Sequence, residues 1–285
     1  MRMKKLIAAV VVGLGLVAVA AGVLVGRQGE ESAARAVAAV GPNDAAGGGA
    51  AGRTPVLVEL FTSEGCSSCP PADKVLARLA ATQPVAGAEV IPLAFHVDYW
   101  NYLGWADPFS SAEFSGRQGE YARAYGKDGV YTPQMIVDGV REFPGGNSRL
   151  ADESIAAAAK APKPPVRFER GRPEASGAMP LGVRIEDLPK TAPGEAAFVL
   201  LAVTEGGLLT DVRRGENSGR RLEHVGVVRR LTTLGPAAAG GGEFAARVSV
   251  AVEKGWRREN LRVVVFAQER GSRRILAAGS VKLFD

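Results

Sequence analysis

Only two cysteines occur in the 285 residues, and they stand three positions apart in the stretch VLVELFTSEGCSSCPPADKVLARLA, residues 56–80. Such a pair can exchange with another disulfide, form a structural cross-link or supply half of a metal site. As a cross-link it closes a four-residue loop, which the chain-entropy relation values at roughly 2 kcal/mol, under half of what a 100-residue loop gives. A four-ligand structural zinc site would draw on both cysteines and on His96 and His224, the only histidines, or on carboxylates. Redox exchange is therefore the favoured reading, with Cys66 and Cys69 as its two sulfurs. A Cys-x-x-Cys where a strand turns into a helix puts the first sulfur at the helix N-terminus, where unpaired N–H groups and the macrodipole favour a thiolate.

The elements that must hold the pair follow from periodicity. Residues 56–61 form a short apolar, β-branched run of the kind buried in a mixed or parallel sheet. Ala72, Val75, Leu76 and Leu79 then recur at i, i+3, i+4 and i+7, one face of a helix. Residues 89–97 predict a second strand and 110–125 a second helix, with Phe114, Tyr121 and Tyr125 along one side. Residues 134–138 and 140–143, with a turn at Asp138-Gly139, predict a hairpin, and 149–161 an alanine-rich helix. The order is β-α-β-α-β-β-α over residues 54–161. Three prolines in residues 162–165 mark a linker. Beyond it, runs at 166–170, 182–186, 197–204, 221–231, 244–252, 261–268 and 275–283 alternate with Gly-, Asn- and Pro-bearing turns, which predicts a β-sandwich-like domain over 166–285. The fold class expected is α/β plus β.

A composition of 46% hydrophobic and 23% charged residues is that of a globular protein, neither mainly disordered nor multi-span. The net charge of +5 gives an anionic partner little support. Arg2, Lys4 and Lys5 precede an apolar stretch running to residue 26, so residues 1–26 are expected to be a signal peptide or an N-terminal membrane anchor. Either one delivers the rest of the chain to a periplasmic or extracellular location. Residues 27–53, rich in Ala and Gly, are expected to be a disordered tether.

The motifs LFTSEGCSSCPPAD, HVDYWNYLGWADPF, YTPQMIVDG and GENSGRRLEHVGVVR together resemble a family of exported bacterial thioredoxin-like proteins designated a domain of unknown function (1223 type), over roughly residues 54–285. VLVELFTSEGCSSC itself resembles the strand and active-site turn of thioredoxins, and the segment from Val130 to Gly139 resembles their cis-proline segment. By that resemblance Cys66 is an exposed nucleophile and Cys69 a buried resolving thiol. Pro133 is cis beside the disulfide, leaving the Thr132 backbone to pair with a substrate strand. Glu59 lies on the strand where thioredoxins carry a buried acid that accepts the resolving thiol's proton, with one more residue before the first cysteine. Ser67-Ser68 stands where Gly-Pro is usual. The implied activity is thiol-disulfide exchange at a redox-active disulfide with no other cofactor, with a protein or small-molecule thiol or disulfide as substrate and a separate electron partner.

Tyr99, Trp100 and Trp105 fall within seven residues and read either as an apolar platform for substrate near Cys66 or as an insertion packed over the sheet edge. Two alternatives stay open. Two thiolates plus the imidazole of His96 suit cuprous copper, so Cys66, Cys69 and His96 form the candidate metal set of a copper chaperone. The thioredoxin-like unit can also be a non-catalytic binding scaffold, in which case Cys66 is buried and inert. In the second half, paired arginines (213–214, 220–221, 229–230, 257–258, 273–274) come without aromatic interleaving, read as a solvated rim, and give no support to nucleic-acid binding. His224 has no evident partner in the sequence.

Overall fold

A computed structural model of the chain describes residues 45–46 and 52–285. The apolar stretch within 1–26 and most of the 27–53 segment lie outside the described residues. The elements in chain order are β1 (Ala45–Ala46), β2 (Thr54–Thr62), α1 (Pro70–Thr82), β3 (Ala88–His96), α2 (Ala112–Ala124), β4 (Gln134–Val137), β5 (Arg141–Pro144), α3 (Ser148–Ala158), β6 (Val166–Arg170), β7 (Met179–Leu188), β8 (Ala197–Glu205), β9 (Leu208–Asp211), β10 (Arg221–His224), β11 (Val227–Ala237), β12 (Gly242–Val250), β13 (Leu261–Glu269) and β14 (Ile275–Lys282).

β2 is buried from Val56 onward because it is an interior strand, parallel to β3 on one side and antiparallel to β4 on the other. Alternation along it sends Val56, Val58 and Leu60 to one face, against α1 and α3, and Leu57 and Phe61 to the other, against α2. Each such side chain contributes about 1.5–3 kcal/mol on burial. α1 opens with Pro70, whose missing N–H belongs to a helical position that has no acceptor anyway, and it ends at Gln83 in the left-handed region. α2 is capped by Ser111, which accepts from the Glu113 N–H, and α3 by Asn147, which accepts from the Leu150 N–H.

The second half does not build a separate pair of sheets. β8, β11, β13 and β14 extend the first sheet into eight strands, in the order β14-β13-β8-β11-β3-β2-β4-β5. The junction is the parallel pairing of Val227 in β11 with Ala94 in β3. A four-stranded sheet, β1-β6-β7-β12, packs on one face of that extension through Phe168, Leu181, Val183 and Ile185 against Val199, Leu201 and Val263. The second half thus contributes a four-stranded sheet facing a layer that is continuous with the first half, in place of a β-domain separate from it. The expected strand over 221–231 is interrupted at Gly226 (φ +60), where a Cβ would sit 2.7 Å from the Pro92 carbonyl oxygen. β9, which the periodicity does not predict, is short and half-exposed, and pairs with β10. Ala45–Ala46, within the expected tether, pairs with β6.

The proline-rich linker is pinned. Lys163 donates to Asp138 Oδ2 at 2.5 Å and to the Pro55 carbonyl at 3.0 Å, while the Leu57 N–H donates to Asp138 Oδ1. Burial pushes the Asp138 carboxyl up, and Lys163 partly offsets it. Among the described residues no helix is long and apolar enough to cross a membrane.

Candidate functional site

At the C-terminal end of β2 the chain turns through Ser63 and Glu64 into the cysteines. The Cys66 N–H donates to the Ser63 carbonyl, the Cys69 N–H to the Cys66 carbonyl, and the Ala72 and Asp73 N–H groups to the Cys69 carbonyl. Cys69 is therefore the N-cap of α1, and Cys66 stands one turn earlier, which corrects the expectation that the first sulfur occupies the helix terminus. The two sulfurs are joined in a disulfide. The Thr132–Pro133 peptide is cis, and Thr132 Oγ1 donates to Cys66 Sγ at 3.3 Å while accepting the Trp100 indole N–H at 2.7 Å. The Pro133 carbonyl accepts the Gly145 N–H, which ties the cis segment to the connection between β5 and α3.

Cys66 is 2% exposed, not the exposed nucleophile the resemblance implies, and Cys69 is fully buried. Around Cys66 Sγ stand the Ser68 and Thr132 hydroxyls, each at 3.3 Å, and the loop between β9 and β10 is bonded to the main chain of the same turn. Asn217, fully buried, donates from Nδ2 to the Glu64 carbonyl at 2.8 Å and to the Cys66 carbonyl at 2.9 Å. Glu216 Oε2 accepts the Ser67 N–H at 3.1 Å. Gly215, at φ +75, lies so close to Trp105 that a Cβ would come within 3.1 Å of the Trp105 Cβ.

Beneath the turn sits a buried polar cluster. His96 Nδ1 is 2.7 Å from Asp107 Oδ2, which also accepts the Glu64 N–H at 2.8 Å. His224 Nε2 is 3.0 Å from Glu64 Oε1, and the other Glu64 oxygen accepts the Trp105 indole N–H. The two imidazoles meet edge to face at 4.8 Å, and Phe109 packs on both. Burial works against the charged form of His96, but Asp107, with Asp73 and Glu64 behind it, raises the imidazole above its ordinary value. Burial likewise works against the Asp107 carboxylate, and His96 together with the Glu64 and Phe109 N–H groups holds the carboxyl below the usual range. Asp73, in the first turn of α1 and hydrogen-bonded by Thr62, is pushed up by burial, with His224 and His96 partly offsetting it. His96 Nε2 is buried without a partner among the described residues, and no group of three or more His, Cys, Asp or Glu there is arranged to hold a metal ion.

Glu59 is placed elsewhere. It points to the face of the sheet that α2 covers, opposite α1, where Arg117 donates to it from Nε at 2.8 Å and the Tyr121 hydroxyl donates to its other oxygen. With one more residue between it and Cys66, Glu59 is held by Arg117 and Tyr121 on the face of the sheet across from the cysteine helix. Of the aromatic group, Trp100 and Trp105 line the cysteine turn, whereas Tyr99 turns away to Gln118. The arginine rim also divides. Arg213, Arg214 and Arg220 are exposed, but Arg273 is buried and pairs with the exposed Glu120, and Arg229 stacks on Phe109 and Trp256.

Sequence reasoning missed Glu64, Asp107, Asn217 and the partner of His224. The available signal was the coexistence of the motifs ADPF and GENSGRRLEH with the cysteine motif, since residues from all three meet here.

Among solved structures, the chain is similar to protein AGR_C_4864 from Agrobacterium tumefaciens, at 28% identity and a TM-score of 0.62, covering 81% of this chain and 95% of that one. It also shares its fold with HBP35 of Porphyromonas gingivalis, at 16% identity and a TM-score of 0.57, covering 81% and 76% of the two chains. No curated protein shows a comparable match. The model of one family, described as protein of unknown function (DUF1223), matches residues 57–268, and the chain belongs to that family.

Proposed function

We propose that the protein is an exported thiol-disulfide oxidoreductase built on a thioredoxin-like unit, working through Cys66 and Cys69. The observation that carries the reading is the Cys66–Cys69 disulfide at the end of an interior strand, beside the cis Thr132–Pro133 peptide and with Thr132 Oγ1 against Cys66 Sγ. The β-α-β-α-β-β-α order through α3 supports the thioredoxin-like scaffold, and the basic and apolar N-terminal sequence supports export.

In the oxidised form a substrate thiolate attacks Cys66 Sγ. The new S–S bond forms as the Cys66–Cys69 bond breaks, and Cys69 leaves with the electron pair and takes up a proton. A second substrate thiolate then attacks the substrate's own sulfur in the mixed disulfide, and Cys66 leaves. The substrate dithiol has lost two electrons and two protons, the protein has gained them, and the reverse sequence reduces a substrate disulfide. Cys66 is taken as the sulfur for external attack on the resemblance of VLVELFTSEGCSSC to the thioredoxin active-site turn, and the Thr132 hydroxyl on its Sγ supports that assignment.

A second reading, a non-catalytic binding module, draws on the 2% exposure of Cys66. One experiment separates the two. Oxidation of a dithiol peptide and reduction of insulin are followed for the protein, Cys66→Ser, Cys69→Ser and His96→Ala. Exchange lost in Cys66→Ser, mixed disulfides trapped in Cys69→Ser and activity retained in His96→Ala support the oxidoreductase. No exchange under any condition supports the binding module, and no exchange together with tight His96-dependent cuprous binding supports a copper carrier.

A further inference from the structure

The loop joining β9 to β10 has no part in the sheets, yet it places its buried residue on the cysteine turn. Its own frame is closed: the Val212 N–H donates to the Arg220 carbonyl and the Gly219 N–H to the Val212 carbonyl, with further turns at Ser218 and Arg220. Arg213, Arg214, Glu216, Ser218, Gly219 and Arg220 are exposed, and only Val212 and Asn217 are buried. Loops with little buried apolar surface belong to the low-stability end of a fold, where local opening without global unfolding is found. What holds it down is polar and specific: two donations from Asn217 Nδ2 and one acceptance by Glu216, next to the seat of Gly215 against Trp105.

We propose that residues 212–220 are a cap that gates Cys66, with Asn217 as its latch and Glu216 as a secondary tie. The inference rests on the reading of Cys66 as the sulfur for external attack. The latch bonds run to the Glu64 and Cys66 carbonyls and the tie to the Ser67 N–H, all main-chain groups present whether the sulfurs are bonded or reduced. The cap therefore persists in the dithiol form. It also explains how a chain can bury its only thiols and still expose them: a substrate reaches Cys66 when the cap lifts, and the rest of the sheet stays folded. The Asn217 amide offers N–H groups to carbonyls that would otherwise be open to a substrate's own N–H donors. The Glu216 carboxylate takes the N–H of the residue next to the nucleophile. Asn217 is thus a positioning residue, acting on access and not on the sulfur.

The test is the rate of iodoacetamide alkylation at Cys66 in the reduced full chain, read by mass spectrometry under native conditions. Losing two hydrogen bonds to buried carbonyls shifts the closed-to-open ratio by about ten- to a hundredfold. Asn217→Ala is expected to speed alkylation by that factor, Glu216→Ala by about three- to tenfold, and the remote surface variant Arg149→Ala not at all. Local opening exposes little surface, so the wild-type rate is expected to stay flat with urea below the unfolding transition, whereas access through global unfolding rises steeply with it. Asn217→Ala and Glu216→Ala both within twofold of wild type would overturn the cap, as would a wild-type rate that climbs with urea from the first addition. Should Asn217→Ala fail to fold, the exposed Glu216→Ala and the urea profile decide. Alkylation reads the thiol itself. A chain that alkylates in this pattern yet exchanges no disulfide refutes the oxidoreductase and keeps the cap, and a chain that exchanges while both variants alkylate at the wild-type rate does the reverse.

Discussion

Replacing Glu59 with Gln separates a structural acid from a catalytic one. Glu59 and Arg117 are 1% and 4% exposed in their side chains, and the guanidinium approaches the carboxylate at 2.6 and 2.8 Å. Removing one charge of a buried pair costs about 3–5 kcal/mol, because the other is left uncompensated. Gln keeps the volume, so no cavity adds to the cost. Arg117 also retains Gln268 Oε1 at 3.1 Å and the rings of Phe95, Tyr121 and Phe266 at 5.2–5.4 Å, which soften the loss. The expected cost is therefore near the lower bound, about 3 kcal/mol. For domains of roughly 150–250 residues, 1 kcal/mol moves the midpoint by about 2–4 °C, so Glu59→Gln lowers Tm by about 6–12 °C. Thermal unfolding by circular dichroism gives the midpoint, and dithiol-peptide oxidation at 25 °C, where the variant is still folded, gives the activity, expected within about threefold of wild type. A hundredfold loss of exchange with an unchanged midpoint would refute the assignment and return Glu59 to the chemistry.

The His96–Asp107 pair makes a pH-dependent contribution of known sign. The raised imidazole stabilises fully below about pH 6.5 and loses this as pH rises through its folded value, while the lowered carboxyl stabilises above about pH 3.8 and loses this as pH falls through its own. Urea unfolding of Asp107→Asn against wild type is thus expected to show its largest gap near pH 5 and a smaller one at pH 9; a gap that grows toward pH 9 would contradict the pairing. Asp73 carries a raised carboxyl, so its ionisation opposes folding as pH rises above about 3.8. Asp73→Asn should gain stability relative to wild type between pH 4 and pH 8 in the same assay, and a relative loss would count against burial as the dominant cause. Gly139, at φ +73, would place a Cβ 1.8 Å from the Arg273 carbonyl oxygen, so Gly139→Ala should destabilise by more than about 1 kcal/mol by either denaturant or heat. A neutral result would mean that the hairpin turn and the β13–β14 connection are not in register as described.

Periodicity carried the local elements well where burial is one-sided or continuous. The Ala72, Leu76 and Leu79 face of α1 and the unbroken apolar run of β2 are both read directly from residue type. It carried less where a glycine decides: nothing in the alternation of residues 221–231 announces that Gly226 must turn under the Pro92 carbonyl. The cysteine turn was legible because its two residues are rare and closely spaced. Its surroundings were not, because Asn217 lies 151 positions from Cys66 and His224 lies 160 from Glu64, and no local pattern encodes pairings of that range. Glu59 shows the opposite failure. Its strand was right, but a shift of one residue along a strand moves a side chain to the other face, and that places it with α2 instead of α1.

The same register logic explains why the second half is needed at the site at all. β11 enters the sheet beside β3 by pairing Val227 with Ala94, and the Ala94 N–H donates to the Gly226 carbonyl. β10 ends three residues before Val227, so this one docking point delivers His224 to Glu64 and, through the β9–β10 hairpin, Asn217 to Cys66. Glu64 is the knot: its main-chain carbonyl holds Asn217, its N–H is held by Asp107, and its carboxylate joins His224 to Trp105. Without the second half that carboxylate would lose His224 and keep only the indole N–H as a partner. The strands of the second half therefore complete the cysteine site electrostatically as well as covering it. For that reason the sheet has to be continuous across the proline-rich linker, since two sheets free to shift against each other could not keep His224 within 3.0 Å of Glu64.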